Sequence, residues 1–263
     1  MKIHAKIART GGPADAAQEI QDFRLVNVLL ERARNMNHRP RRARTLASII
    51  AATAQEMERS SIDGLTVAKI ATAAGLAHGT FYLYFQNSLD AAMAVRRFFD
   101  AAMRHFRPRS GGRLPPFAAI LRMNRFYVRS YAENADLLRA LQLLLHTQPE
   151  YARRRDRINN AWSAAVLRDL KRRSSNQKPA HTRSMQILLI RSAISMVDET
   201  LREIYVHRGS TLRRLFASDE EIAFAISISW YRILHGTDPT AGELASVAPQ
   251  SRRGGGRVVR DSA

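Results

Sequence analysis

The stretch from Thr66 to Phe85, TVAKIATAAGLAHGTFYLYF, holds the residues whose types and spacing could do chemistry. That chemistry is recognition of a polyanion, not the making or breaking of bonds. Ala71, Gly75 and Leu76 stand at the offsets of two short helices that touch through a small residue, turn at a glycine and bury the residue after it. A second helix held in this way projects its N-terminal residues into the DNA major groove. Here those residues are Ala77, His78, Gly79 and Thr80, small or polar, so the backbone can come close to base edges and phosphates. Phe81 and Phe85 are expected to anchor the helix to a core. Tyr82 and Tyr84 carry hydroxyls suited to phosphate oxygens, and one of the two is expected to pack inside.

Other chemistries find little support. There is no cysteine, which removes disulfides, thiolate metal sites and Cys nucleophiles. The eight histidines show no metal-ligand spacing; His105, His146, His181 and His207 are isolated, so no metal and no cofactor is expected. Glu220-Glu221 fits helix capping and the helix dipole better than acid catalysis. Gly254–Gly256 precedes no helix and is no phosphate loop. No paired carboxylates or nucleophile cluster appear, so the chain does not read as an enzyme.

The elements that must position the Thr66–Phe85 segment can be read from apolar spacing. Residues 14–34 could form a helix through Phe23, Val26, Leu30 and Ala33. Residues 35–44 (NMNHRPRRAR) read as a basic linker or arm. From Thr45 to about Arg59, Leu46, Ile49, Ile50, Thr53 and Met57 share one helical face. Thr66 is a plausible N-cap, Val67, Ile70, Ala71 and Ala74 form the next apolar face, and Gly75 stands where a helix stops in a left-handed residue. A third short helix is expected over about Ala77–Tyr84. Asn87 then reads as the cap of a long helix, with Asp90 at its third position.

Residues 108–116 (PRSGGRLPP) are the best candidate boundary. Helices are expected beyond it, from Phe117, from Asp136 to His146, from Tyr151 to Arg173, over 183–206 and over 218–236. The helix at 183–206 is apolar all round, which implies burial on several sides. The last begins with the capping pair Ser218 and Glu221. No period-two strand is visible, so the class is all-α. The expected division is a basic N-terminal extension (1–40), a helix-turn-helix domain with a linker helix (41–107), a helical domain (113–240) and a disordered basic tail (246–263).

The balance of charge points the same way. Among 263 residues, 42 Lys and Arg against 23 Asp and Glu leave a net +19, which favours a polyanionic partner. Most of the cations are arginines, suited to phosphates and base edges. Arg153–Arg155 and Lys171–Arg173 read as solvated helix faces. No run of about 18 apolar residues exists, so no membrane span is expected. The N-terminus does not read as a secretory signal, and a cytoplasmic protein is expected.

Thr66-Val67, Ile70-Ala71, Ala74-Gly75, Gly79-Thr80, Tyr82 and Tyr84-Phe85 together resemble the tetracycline-repressor (TetR) family, with a match over roughly residues 42–95. The resemblance implies a DNA-binding N-terminal unit and a larger helical domain that binds a small effector and dimerises through its last two helices, about 183–206 and 218–236. The implied function is a homodimeric regulator, more often a repressor, that leaves a pseudo-palindromic operator when an effector binds. The DNA-facing set is expected to comprise Arg41, Arg42, Arg44, Thr45, Thr66, Val67, Lys69, Ala77, His78, Gly79, Thr80, Tyr82, Tyr84 and Asn87. Phe117, Met123, Phe126, Tyr127, Tyr131, Trp162 and Met185 are candidates for an effector pocket, although the same residues suit a plain core. Two positions depart from the family pattern: Ala77 stands where a serine usually caps the recognition helix, and Ser88 where a lysine usually meets a phosphate. Arg39, Arg41, Arg42 and Arg44 could make up the lost contact. The other reading is a basic helical adaptor that binds nucleic acid without sequence preference, or a protein partner.

Overall fold

The computed structural model describes residues 23–60, 64–108, 114–145, 149–173, 181–207 and 209–247. Among these residues there is no strand. The helices are α1 (Leu25–Arg34), α2 (Arg41–Arg59), α3 (Val67–Ala73), α4 (His78–Phe81), α5 (Ser88–Phe106), α6 (Pro116–Glu133), α7 (Ala135–Leu145), α8 (Pro149–Arg173) and α9 (Arg183–Leu201). A π-helical turn over Arg202–Val206 follows directly, then α10 (Thr211–Arg214), α11 (Asp219–His235) and α12 (Ala241–Val247).

The expected caps form. Thr66 Oγ1 accepts from the Lys69 amide at 3.3 Å, Asn87 Oδ1 from Asp90 at 2.8 Å and Ser218 Oγ from Glu221 at 3.2 Å. Glu221 reaches back to the Ala217 amide at 2.9 Å, one residue before the cap. Gly236 ends α11 at φ 70°, a left-handed position that suits glycine.

Residues 35–44 are only in part an arm. Pro40 precedes α2, and Arg41, Arg42 and Arg44 form the first turn of that helix. The proline fixes a φ suited to the helix start, which is why the helix begins four residues earlier than its apolar pattern. Upstream, Phe23, Leu25, Val26 and Leu29 are buried, and α1 packs on α2. This part of the basic extension therefore belongs to the core; residues 14–22 of the expected helix lie outside the described residues.

α2 is the hub of the N-terminal half, touching α1, α3, α5 and α7. In the C-terminal half α11 lies along α6 and against α9. Inside that contact the Asn124 amide donates to Ser227 Oγ at 3.0 Å, both residues being buried. The hydroxyl passes the bond on to the Ala223 carbonyl at 2.6 Å, so the buried polar pair is satisfied. The expected tail is outside the described residues from 248 onward.

Candidate nucleic-acid interface and the cavities behind it

The turn between α3 and α4 closes by two backbone bonds. The Gly75 amide donates to Thr72 O at 3.0 Å and the Leu76 amide to Ala71 O at 2.9 Å. That pairing needs a left-handed residue just past the helix end, and Gly75 supplies it at φ 66°. Ala71 is buried where the helices meet, and Leu76 packs half-buried on the core. Phe81 is fully buried, with the Phe85 ring 5.8 Å away. The α4 backbone is thus pinned from beneath by one aromatic anchor.

What remains above is exposed. Ala77, His78, Gly79 and Tyr82 are open to solvent, and Thr80 is half-buried. Tyr82 is 52% exposed and meets His78 edge-on, whereas Tyr84 packs against the core; Tyr84 is the tyrosine that turns in. The helix stops at Phe81 rather than Tyr84, residues 82–84 forming a turn. Leu83, 74% exposed beside Tyr82, was not singled out from sequence; no apolar periodicity marks a residue at a helix end. Thr66 and Asn87 are exposed, and Val67 is half-buried. Lys69 Nζ donates to Gly64 O at 2.8 Å, so its charge leans back on the preceding turn.

Arg41, Arg42 and Arg44 are exposed. Arg44 Nη1 donates to Asn37 O at 3.3 Å, and Thr45 Oγ1 to Arg41 O at 3.0 Å. None of the three arginines has a carboxylate partner among the described residues. The first turn of α2 carries no acidic residue, so these cations sit at the positive end of the helix dipole, where folding disfavours them.

Ala77 has the extended backbone of an N-cap but no side chain to accept a hydrogen bond. Ala77→Ser is expected to stabilise the protein by about 1 kcal/mol. A thermal melt should show the midpoint rising by roughly 2–4 °C; no rise would mean that the α4 amides are already satisfied.

Behind this surface lie two cavities of about 500 and 610 Å³. The first is bounded by α5, α6, α7, α8, α9 and the π-helical turn, with Tyr127, Tyr131 and Trp162 in its lining. The second is bounded by α5, α6, α8 and α11, with Met123 and Trp162. Tyr127 and Trp162 stack at 4.9 Å. Burial pushes both Tyr127 and Tyr131 hydroxyls up from their ordinary value. Four of the seven pocket candidates thus line a cavity. Phe117 and Phe126 do not: Phe117 packs edge-on to Phe224 and Tyr231, and Phe126 joins Phe23 and Tyr127 in the core. Met185, near the start of α9, is 44% exposed on the outside. Apolar spacing alone does not tell a wall facing a void from a wall facing another helix.

Sequence reasoning missed the charged part of the first cavity. Asp100, buried in α5, accepts from Arg96 Nε at 3.0 Å and Arg154 Nε at 2.7 Å. Asp198 accepts from Arg155 at 2.6 Å and from the Tyr131 hydroxyl at 3.3 Å. Arg154 and Arg155 are therefore not a solvated face, and Arg173 likewise reaches inward to Asp169 and the Leu114 carbonyl. The Arg96/Asp100 spacing of four was the available signal.

Among the described residues no cluster of His, Cys, Asp or Glu could hold a metal ion, and no helix is long and apolar enough to cross a membrane.

Residues 49–88 match the family model described as bacterial regulatory proteins, tetR family. No curated protein sequence matches the chain. Among solved structures, a tetR-family transcriptional regulator from Streptomyces coelicolor superposes with a TM-score of 0.57 at 20% identity, over 72% of this chain and 79% of that one. The fatty acid degradation regulator FadR from Bacillus halodurans gives 0.49 at 17% identity, over 73% and 95%. The sequence match, residues 49–88, falls on the helix-turn-helix, which is similar to that of bacterial regulatory proteins of the tetR family; the likeness to the Streptomyces protein is one of all-helical fold.

Proposed function

We propose that the protein is a cytoplasmic, homodimeric, sequence-specific DNA-binding regulator, acting as a repressor that a small molecule releases from its operator. The observation that carries this reading is the exposed, small-residue start of α4, held by a left-handed Gly75 turn and a buried Phe81. Such a surface has no use in the fold itself; it suits a helix that must approach a groove closely. His78, Thr80 and Tyr82 supply groups for base edges and phosphates.

Dimerisation through α9 and α11 is supported by what α9 leaves open. Leu188 is 59% exposed and Met185 44%, and the same face carries Ser192 and Ser195. Small residues beside exposed apolar ones let two helices from each protomer pack into a four-helix contact. A two-fold dimer would set its recognition helices roughly 34 Å apart, matching half-sites of a pseudo-palindrome.

Release follows from α5. It begins at the Asn87 cap, next to the recognition segment, and its Arg96, Phe99 and Met103 line the first cavity. A ligand that fits the cavity better in one α5 position than another shifts the population of DNA-competent dimers.

The test is a gel-shift titration against the DNA upstream of the protein's own gene. A saturable, sequence-dependent shift is expected; binding that tracks salt yet ignores sequence would favour a non-specific adaptor. Changing Arg41, Arg42 and Arg44 together to Gln is expected to weaken binding to every sequence and to lower the log–log salt slope by about 2 to 3. An unchanged slope would show that these arginines meet no phosphate.

A further inference from the structure

The first cavity is unusually rich in cations for a site with aromatic walls. Seven arginines face it against two aspartates, Asp100 and Asp198. Those two carboxylates are already engaged, by Arg96, Arg154 and Arg155. Arg202 pairs with Glu199. Arg104, Arg107 and Arg157 have no carboxylate partner among the described residues.

Arg107 is the telling one. It is half-buried, its guanidinium lies 5.8 Å from the centre of the Trp162 ring, and its charge favours the ionised form of the Tyr127 hydroxyl. Arg104, Arg107 and Trp162 line both cavities, so they form the wall between a basic chamber and one bounded by Ile120, Met123, Val166 and Trp230. A half-buried guanidinium without a carboxylate is a ready partner for an arriving anion. The π-helical turn brings Arg202 and Val206 to the basic chamber, and such turns recur at functional sites.

We infer that the ligand of this site is an amphipathic anion, its acidic group held by Arg107 and Arg104 and its apolar body laid against Tyr127 and Trp162. This rests on the cavity being the effector site of the proposed regulator. Planar guanidinium groups favour a carboxylate, sulfonate or phosphate, which they bind with paired hydrogen bonds. An uncharged apolar molecule of the same size would cover the half-buried Arg107 without giving it a counter-ion.

Two fluorescent probes of nearly one shape separate the possibilities: anilinonaphthalene sulfonate and its uncharged parent, phenylnaphthylamine. The full-length protein is expected to bind the sulfonate at least about tenfold more tightly, the worth of one hydrogen bond to a charged group. Arg104→Gln and Arg107→Gln, singly and together, are expected to remove that preference while the affinity for the parent changes less than about twofold. Trp162→Leu should weaken both probes. Equal affinity for the two probes overturns the inference. So does binding of neither, or a sulfonate preference that survives in the double variant, which would place the anion on the basic surface instead. Circular-dichroism melts of each variant check folding, and Arg104→Gln alone, at an exposed position, keeps the test decisive if Arg107→Gln unfolds. Gel shifts of the unliganded protein separate the two ideas. DNA binding without anion preference overturns this inference alone, and anion preference without DNA binding overturns the regulator reading.

Discussion

A Gly79→Glu variant is expected to fold as the parent does and to lose about a hundredfold or more in operator affinity. Nothing inside the protein asks for glycine at this place. Its φ is not in the left-handed region, where Gly75, Gly209 and Gly236 are the described glycines found. A Cβ added at Gly79 would meet no atom within 4 Å. Within a helix, glycine costs roughly 0.5–1 kcal/mol relative to alanine, so folding alone would favour its replacement. In the proposed regulator, a bare backbone here serves the close approach of DNA to α4. A glutamate there adds bulk and a negative charge against phosphates, and juxtaposed like charges cost several kcal/mol. Gly79→Ala separates the two roles. It should raise the melting temperature slightly and still weaken DNA binding, because one methyl group stands between the helix and the groove. Fluorescence anisotropy with operator DNA and a thermal melt of each variant give both readouts. A Glu variant within about threefold of the parent would remove Gly79 from the interface.

The helix-turn-helix was legible in the sequence because each of its parts has a local cause. Gly75 marks a backbone angle, Thr66 and Asn87 mark hydrogen bonds to amides three residues on, and Phe81 marks an apolar anchor; each needs only its neighbours in the chain to be understood. The first cavity was not legible. Its definition depends on Asp100 of α5 meeting Arg154 of α8, 54 positions apart, and on Asp198 of α9 meeting Arg155. A run of three arginines looks the same in sequence whether water or a buried aspartate faces it. The same holds for Phe117 and Met123, two apolar residues of α6; one faces α11 aromatics and the other a void. Helix start signals also competed at α2. The basic run pointed to an arm, but Pro40 and the helical preference of the residues after it won.

Asn134→Leu is expected to be the most destabilising of the changes considered, and to loosen the tie between the two halves. Asn134 sits between α6 and α7 and is fully buried. Its Oδ1 accepts from the Leu25 amide at 2.7 Å, and its Nδ2 donates to Phe23 O at 2.8 Å and Ser130 O at 2.9 Å. The Leu25 amide is the first of α1, a donor with no partner inside its own helix. Phe23 beside it fills the aromatic cluster of Phe99, Phe106 and Phe126. Removing the amide strands a buried donor and two buried acceptors at about 1–3 kcal/mol each. Against a total stability of about 5–15 kcal/mol, the melting midpoint should fall by roughly 10 °C. α7 also gives Leu138 and Gln142 to the first cavity and packs on α2, so the variant should show a blunted response of DNA binding to ligand. Asn134→Asp distinguishes lost hydrogen bonds from lost packing, because its volume is unchanged. A carboxylate there still accepts from Leu25 but faces the Phe23 and Ser130 carbonyls, and burial and those oxygens would raise its folded pKa. A protonated carboxyl can donate to one of them. The deficit should therefore be smallest at low pH and grow as pH rises above the unfolded value of about 3.9. Melts of the Asp variant that run parallel to the parent from pH 4 to 7 would mean that packing, not the hydrogen-bonded latch, holds α1 in place.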